Sequence, residues 1–169
     1  MSQNLLKANW EPGLSIQDLP IQHLLDLGIK ALVLDVDGTL LPRKELILHS
    51  SVISWIEKAK NNFTLHLLSN NPSKMRIASI SSQLNINFTY RAAKPSRSAL
   101  RKVQENLQIS SKEIAIIGDR IFTDVLAGNR LGFYTVLVWP LGPEGITIKR
   151  SKTFFIEKAI ANLLGAHKP

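Results

Sequence analysis

The 169-residue chain has no cysteine, which excludes disulfide frameworks, thiolate nucleophiles and cysteine-held zinc or iron–sulfur centres. A reducing compartment fits that absence. No apolar run approaches the roughly 18–20 residues needed to cross a bilayer. Met1-Ser2-Gln3-Asn4 also lacks the basic start and long apolar middle of a secretion signal. The expectation is a soluble, cytoplasmic protein, with peripheral attachment to a membrane surface left open. Acids are scarce beside bases: 13 Asp and Glu against 21 Lys and Arg give a net charge of +8. That excess attracts acidic partners such as nucleic acid, anionic lipid or phosphorylated metabolites. The four histidines, His23, His49, His66 and His167, show no metal-ligand spacing. Trp10, Trp55 and Trp139 read as packing residues rather than stacking platforms.

What the chain does have is 44% hydrophobic content, enough for one substantial core at this length and too little chain for two. Apolar runs suited to buried strands fall at 31–36, 63–68, 86–88, 114–117 and 133–138. Between them Val52, Ile56 and Ala59, then Ile77, Ile80 and Leu84, then Leu100, Val103 and Leu107 keep helical spacing. The alternation predicts an α/β fold with a mostly parallel five-stranded sheet flanked by helices. Pro72 fits the first turn of a helix capped by Asn71, and Gly132 fits the stop of a helix ending near Leu131. Ile21, Leu24 and Leu25 make a short amphipathic helix that Gly28 would terminate. A last helix, with Ile156, Ile160 and Leu163 expected to cover the sheet, runs to Gly165. The organisation expected is a single domain over 1–169: an extension at 1–30, a catalytic core at 31–140, and a loop with the C-terminal helix at 141–169.

In open parallel sheets, sites form beyond the carboxyl ends of the strands. The first strand delivers Asp35 and Asp37, two residues apart and able to share a face. The second delivers Ser69-Asn70-Asn71, the segment after the third Lys94-Pro95, and the fourth Gly118-Asp119 followed by Asp124. Phosphoryl transfer asks for a nucleophile in line with the leaving group, fixed positive charge and a metal. Each role has a candidate. Asp35 would attack phosphorus, and Asp37 would act as general acid and then general base. Ser69 would hold a phosphoryl oxygen, and Lys94 would screen phosphate from nucleophile. Asp35, Asp119 and a backbone carbonyl at Asp37 would ligate Mg²⁺, with Asp124 in direct or indirect contact. Four carboxylates and a phosphate dianion sum to about six negative charges against one Lys, a repulsion that calls for the cation.

These residues in this order resemble the four motifs of the haloacid dehalogenase (HAD) superfamily. Asp35-Val36-Asp37-Gly38-Thr39-Leu40 is similar to its first motif, Ser69 to its second, Lys94 to its third, and Gly118-Asp119 with Asp124 to its fourth. Leu68-Ser69-Asn70-Asn71, Arg91-Ala92-Ala93-Lys94-Pro95 and the stretch from Gly118 to Val125 with Gly128-Asn129-Arg130 resemble the YqeG subgroup. In that subgroup the position of Gly38 often holds Asn. The resemblance implies a Rossmann-like HAD fold, catalytic Asp35, Asp37, Ser69 and Lys94, and metal ligands Asp35, Asp37, Asp119 and Asp124. It places Thr39, Asn70 and Arg120 at the substrate and implies Mg²⁺. The subgroup is similar to phosphatidylglycerophosphate phosphatases, so an anionic lipid headgroup is the leading phosphorylated substrate. Nucleic acid is not the expected partner.

Thr39 to Ser69 leaves room for a flap and one helix, and Asn71 to Lys94 for a helix and a short strand. No cap domain fits, so the site is expected to be open, or closed by a partner subunit. Arg76, Arg91, Arg120 and Arg130 are either anion-recognition residues or salt-bridged surface groups. Arg120, beside the presumed metal ligand, is the first choice for recognition. Two rivals stand beside the lipid phosphatase: an HAD phosphatase of soluble sugar or nucleotide phosphates, and a non-catalytic basic scaffold binding membrane or nucleic acid. Intact motifs argue against the scaffold.

Overall fold

The computed structural model describes residues 4–149 and 152–164. Five strands, β1 (Ala31–Leu34), β2 (Thr64–Leu68), β3 (Asn87–Thr89), β4 (Ile114–Gly118) and β5 (Tyr134–Leu137), form one sheet in the order β3-β2-β1-β4-β5. Every pair is parallel. The central strands are continuous apolar runs because both of their faces are covered. Leu32, Leu34, Ala115 and Ile117 point into one cluster with Val52, Ile56 and Ala59 of α2 (Ser50–Lys60) and Ile77, Ile80 and Leu84 of α3 (Lys74–Leu84). Ala31, Val33, Ile114 and Ile116 point the other way, toward Leu100 and Val103 of α4 (Ser98–Leu107) and Ala127 of α5 (Leu126–Asn129). The period-two alternation of each strand thus feeds two cores.

Short helix α1 (Ile21–Asp26) buries Leu24 and stops at Gly28, whose φ of 73° suits a residue without Cβ. Ahead of it, Trp10 N–H donates to Thr135 O, and Leu137 N–H donates to Trp10 O. Main chain from the start of the protein therefore covers the outer edge of β5. Trp55 is buried and its indole N–H donates to Leu19 O at 2.8 Å, a packing role as expected.

Two local expectations are corrected. Helix α3 begins two residues later than Pro72: Ser73 is its cap, accepting from Arg76 N–H, while Asn71 Oδ1 accepts from Ser73 N–H in the turn before it. Both are good cap residues, and the later one lies next to the apolar stripe. Helix α6 (Lys152–Leu163) turns Phe154, Glu157 and Ala161 inward, leaving Ile156, Ile160 and Leu163 in solvent. Its expected end at Gly165 lies outside the described residues, as do Arg150, Ser151 and His167.

The β1–β2 and β2–β3 connections hold only the flap after Leu41, α2 and α3, so no inserted domain covers the sheet's carboxyl edge among the described residues. Order β3-β2-β1-β4-β5 makes β1 and β4 the neighbours at which the chain reverses direction across the sheet. Ligands bind at such a switch point.

His66 on β2 exchanges a 2.9 Å hydrogen bond with Thr89 Oγ1. Burial lowers its imidazole from 6.5 to about 4. Between those values the unfolded chain takes up a proton that the folded chain refuses, so stability falls as pH drops through the window. Denaturant unfolding from neutral pH down to about pH 4 should show the native protein losing about 2–3 kcal/mol more than His66→Gln.

Candidate active site

Asp35 is the first residue after β1, where its N–H still donates to Ile117 O of β4. The side chain is buried, with Thr39 Oγ1 donating to Oδ2 at 3.1 Å and Lys94 Nζ donating to Oδ1 at 2.5 Å. Lys94 comes from the loop after β3, which Asn70 positions by accepting from Lys94 N–H at 2.7 Å and donating to Lys94 O at 2.9 Å. All three ammonium protons are used: on Asp35, on Asp124 Oδ1 at 2.6 Å and on Leu68 O at 2.9 Å. Burial opposes the Lys94 charge, but the Asp124 and Asp35 carboxylates outweigh it and hold the ammonium above its ordinary range.

Asp124 sits on a π-helical turn, Ile121–Val125, that follows β4. Such turns are frequent at functional sites. Its Oδ2 accepts from Arg120 N–H at 3.3 Å. Burial raises the carboxyl to about 6, with Lys94 pulling the other way. Asp119 is raised further, to about 8, by burial and then by the Asp35 and Asp124 charges. One carboxylate oxygen from each of Asp35, Asp119 and Asp124 lies within 4.8 Å of the others, and Asp119 Oδ1 is buried with no hydrogen-bond donor. An all-oxygen, acidic set with an orphaned acceptor fits a hard divalent cation. Two glycines make room for these carboxylates. A Cβ on Gly38, where φ is 95°, would stand 2.7 Å from Asp119 Oδ2, and one on Gly118 would stand 2.3 Å from Asp124 Cγ. The turn expected at Gly38 is therefore also a close-approach site.

Asp37 is turned away from the cluster. Ser69 Oγ at 3.3 Å and Asn71 Nδ2 at 3.1 Å donate to its Oδ2, and Arg76 Nη2 pairs with Oδ1 at 3.0 Å. Arg76 also donates to the carbonyls of Pro42 and Arg43, tying α3 to the flap. Of the two roles expected for Arg76, anion recognition or a salt bridge, the structure shows the salt bridge, with a partner that the sequence did not indicate, as it did not indicate Asn71 on Asp37. Thr39, expected at the substrate, is fully buried and spends its hydroxyl on Asp35. Arg120 pairs with buried Glu157 of α6, whose other oxygen accepts from Ile121 N–H at 3.1 Å. No local pattern singled out Glu157. Arg130 donates to Pro95 O.

Two clefts meet here. One, of about 350 Å³, is lined by Asp35, Asp37, Ser69, Asn70, Lys94 and Arg120. The other, of about 340 Å³, runs from Asp119 and Gly38 past Pro42, Arg43, Leu141, Ile148, Lys149 and Phe154. Arg43 and Arg120 border both.

Comparison with known proteins identifies the family. The family model described as mitochondrial PGP phosphatase matches residues 12–141. "Probable phosphatase YqeG" of Bacillus subtilis is 31% identical over 129 residues, covering 76% of this chain and 75% of that one. "Phosphatidylglycerophosphate phosphatase 1, chloroplastic/mitochondrial" of Arabidopsis thaliana is 30% identical over 143 residues, covering 77% of this chain and 41% of that protein. In structure, a putative HAD family hydrolase from Streptomyces avermitilis superposes with a TM-score of 0.56 at 20% identity, over 78% of this chain and 86% of that one. The chain belongs to the mitochondrial PGP phosphatase family and is a phosphatase, with the fold seen in HAD hydrolases.

Proposed function

We propose that the chain is a Mg²⁺-dependent phosphomonoesterase that works through an aspartyl-phosphate on Asp35. Its proposed substrate is phosphatidylglycerophosphate, cleaved to phosphatidylglycerol and phosphate. The observation that carries the chemistry is Asp35 held by Lys94 and Thr39 beside Asp119 and Asp124. Both Asp35 oxygens are pinned, so the carboxylate is oriented before substrate arrives. Asp35 attacks phosphorus as the bond to the leaving oxygen breaks, and Asp37 gives that oxygen a proton. Asp37 then takes a proton from the water that cleaves phospho-Asp35, returning the nucleophile. Ser69, which rests on Asp37, turns its hydroxyl to a phosphoryl oxygen. Lys94 keeps its charge throughout and screens phosphate from the carboxylates.

Asp35, Asp119 and the Asp37 main-chain carbonyl would hold the cation, with Asp124 beside them. When bound, Mg²⁺ offsets the negative charge that accumulates on the phosphoryl oxygens. Support for a lipid substrate comes from the family description and the name of the Arabidopsis relative. The second cleft adds to it. Apolar Pro42, Leu141, Ile148 and Phe154 with cationic Arg43 and Lys149 suit a leaving group that carries both glycerol phosphodiester and hydrocarbon.

Phosphate release from a water-soluble phosphomonoester with Mg²⁺ tests the chemistry, and Asp35→Asn should lower kcat by about a thousandfold or more. Metal-dependent turnover that survives this substitution excludes the aspartyl-phosphate. In a panel of mixed-micellar phosphatidylglycerophosphate, sugar phosphates and nucleotides, a preference for the soluble compounds overturns the lipid assignment alone. Without cation Asp119 keeps its proton below about pH 8. Calorimetric titration of Mg²⁺ at neutral pH, in buffers of different ionisation enthalpy, should therefore register release of about one proton. Affinity should rise with pH toward 8 and then level, and Asp119→Asn should remove the release. Arg76→Ala frees Asp37 and should cost about ten- to a hundredfold in kcat at little change in KM, with Arg76→Lys recovering part.

A further inference from the structure

Helix α6 is apolar on two faces. Its inward face buries Phe154 and Ala161 with Ile121, Val125 and Leu137, around the Glu157 carboxylate. A surface helix ordinarily spends its apolar stripe on the core, yet Phe155, Ile156 and Ile160 on the outward face are 62%, 60% and 40% exposed. The end of α6 that holds Phe154 and Glu157 borders the cleft beside Asp119. Just before it, Ile148 is 42% exposed and lines the same cleft together with Lys149, and Lys152 opens the helix in solvent.

We propose that this face lies on an anionic lipid bilayer, with Phe155, Ile156 and Ile160 among the upper acyl chains and Lys149 and Lys152 at headgroup phosphates. Apolar residues edged by lysines complement an anionic layer over hydrocarbon. A second copy is the poorer occupant, because two such faces would oppose lysine to lysine in a chain of net charge +8. The inference deepens the lipid reading and rests on it for one element only, that the cleft opens toward the bilayer. Substrate would then move from membrane to Asp35 along the apolar wall of Ile148 and Phe154, without leaving the interface.

Co-sedimentation of the whole protein with vesicles of equimolar phosphatidylglycerol and phosphatidylcholine, against phosphatidylcholine alone, tests the surface. The native protein should bind the anionic vesicles and keep part of that binding in high salt. Phe155→Ser with Ile160→Ser should weaken partitioning about tenfold or more. Lys152→Glu should weaken it about fivefold or more. Hydrolysis of a water-soluble phosphomonoester should be unchanged in all of these variants, which shows that they fold. Native-like vesicle binding by the double variant, or no binding by the native protein, overturns the proposal. So does a native dimer that the double variant converts to monomer. Vesicle binding that follows the expected pattern in a protein with no phosphatase activity supports the surface and sinks the functional reading instead.

Discussion

The buried Lys94 ammonium is the contact on which the site depends. It joins the ends of three strands, reaching Asp35 after β1, Leu68 O in β2 and Asp124 beyond β4. Without it, two carboxylates would face each other in a medium where like charges a few ångströms apart cost several kcal/mol. Breaking such a buried pair from one side costs about 3–5 kcal/mol, because the partner is left charged and dry. The strand order makes the arrangement possible. Only at the switch between β1 and β4 do loops from both halves of the sheet converge on one point.

Charge explains why the cluster is incomplete by itself. One ammonium cannot neutralise Asp35, Asp119 and Asp124, and the burden falls on Asp119, which is driven toward its neutral form. That residue also carries a buried oxygen with no hydrogen-bond donor. A site that holds a proton where it lacks a cation is ready to exchange one for the other. Asp37 lives in a different environment a few residues away, among Arg76, Ser69 and Asn71. Two carboxylates separated by one valine are thereby given different partners, the condition for different roles.

Much of this was legible from residue order. The five strands fall within one or two residues of the apolar runs, most plainly β1 and β4, which are buried on both faces and carry no polar side chain. Asp35, Lys94, Asp119 and Asp124 could be named because strand ends in a parallel sheet gather at one edge. The pairings made by Arg76 and Glu157 could not. Arg76 meets Asp37 across 39 positions and Glu157 meets Arg120 across 37, and no periodicity encodes such pairs. Helix α6 misled for another reason. Ile156, Ile160 and Leu163 form its strongest apolar stripe, and hydrophobic pattern assigns such a stripe to the interior. The partner of Thr39 was not legible either, because a hydroxyl at a strand end serves ligand or carboxylate equally well until its direction is known.

Glu157 has a consequence for engineering the protein. By gripping Arg120 and the Ile121 N–H, it makes α6 part of the wall beside Asp119. Changes that loosen α6 therefore disturb the acidic cluster, although they are distant from it in sequence.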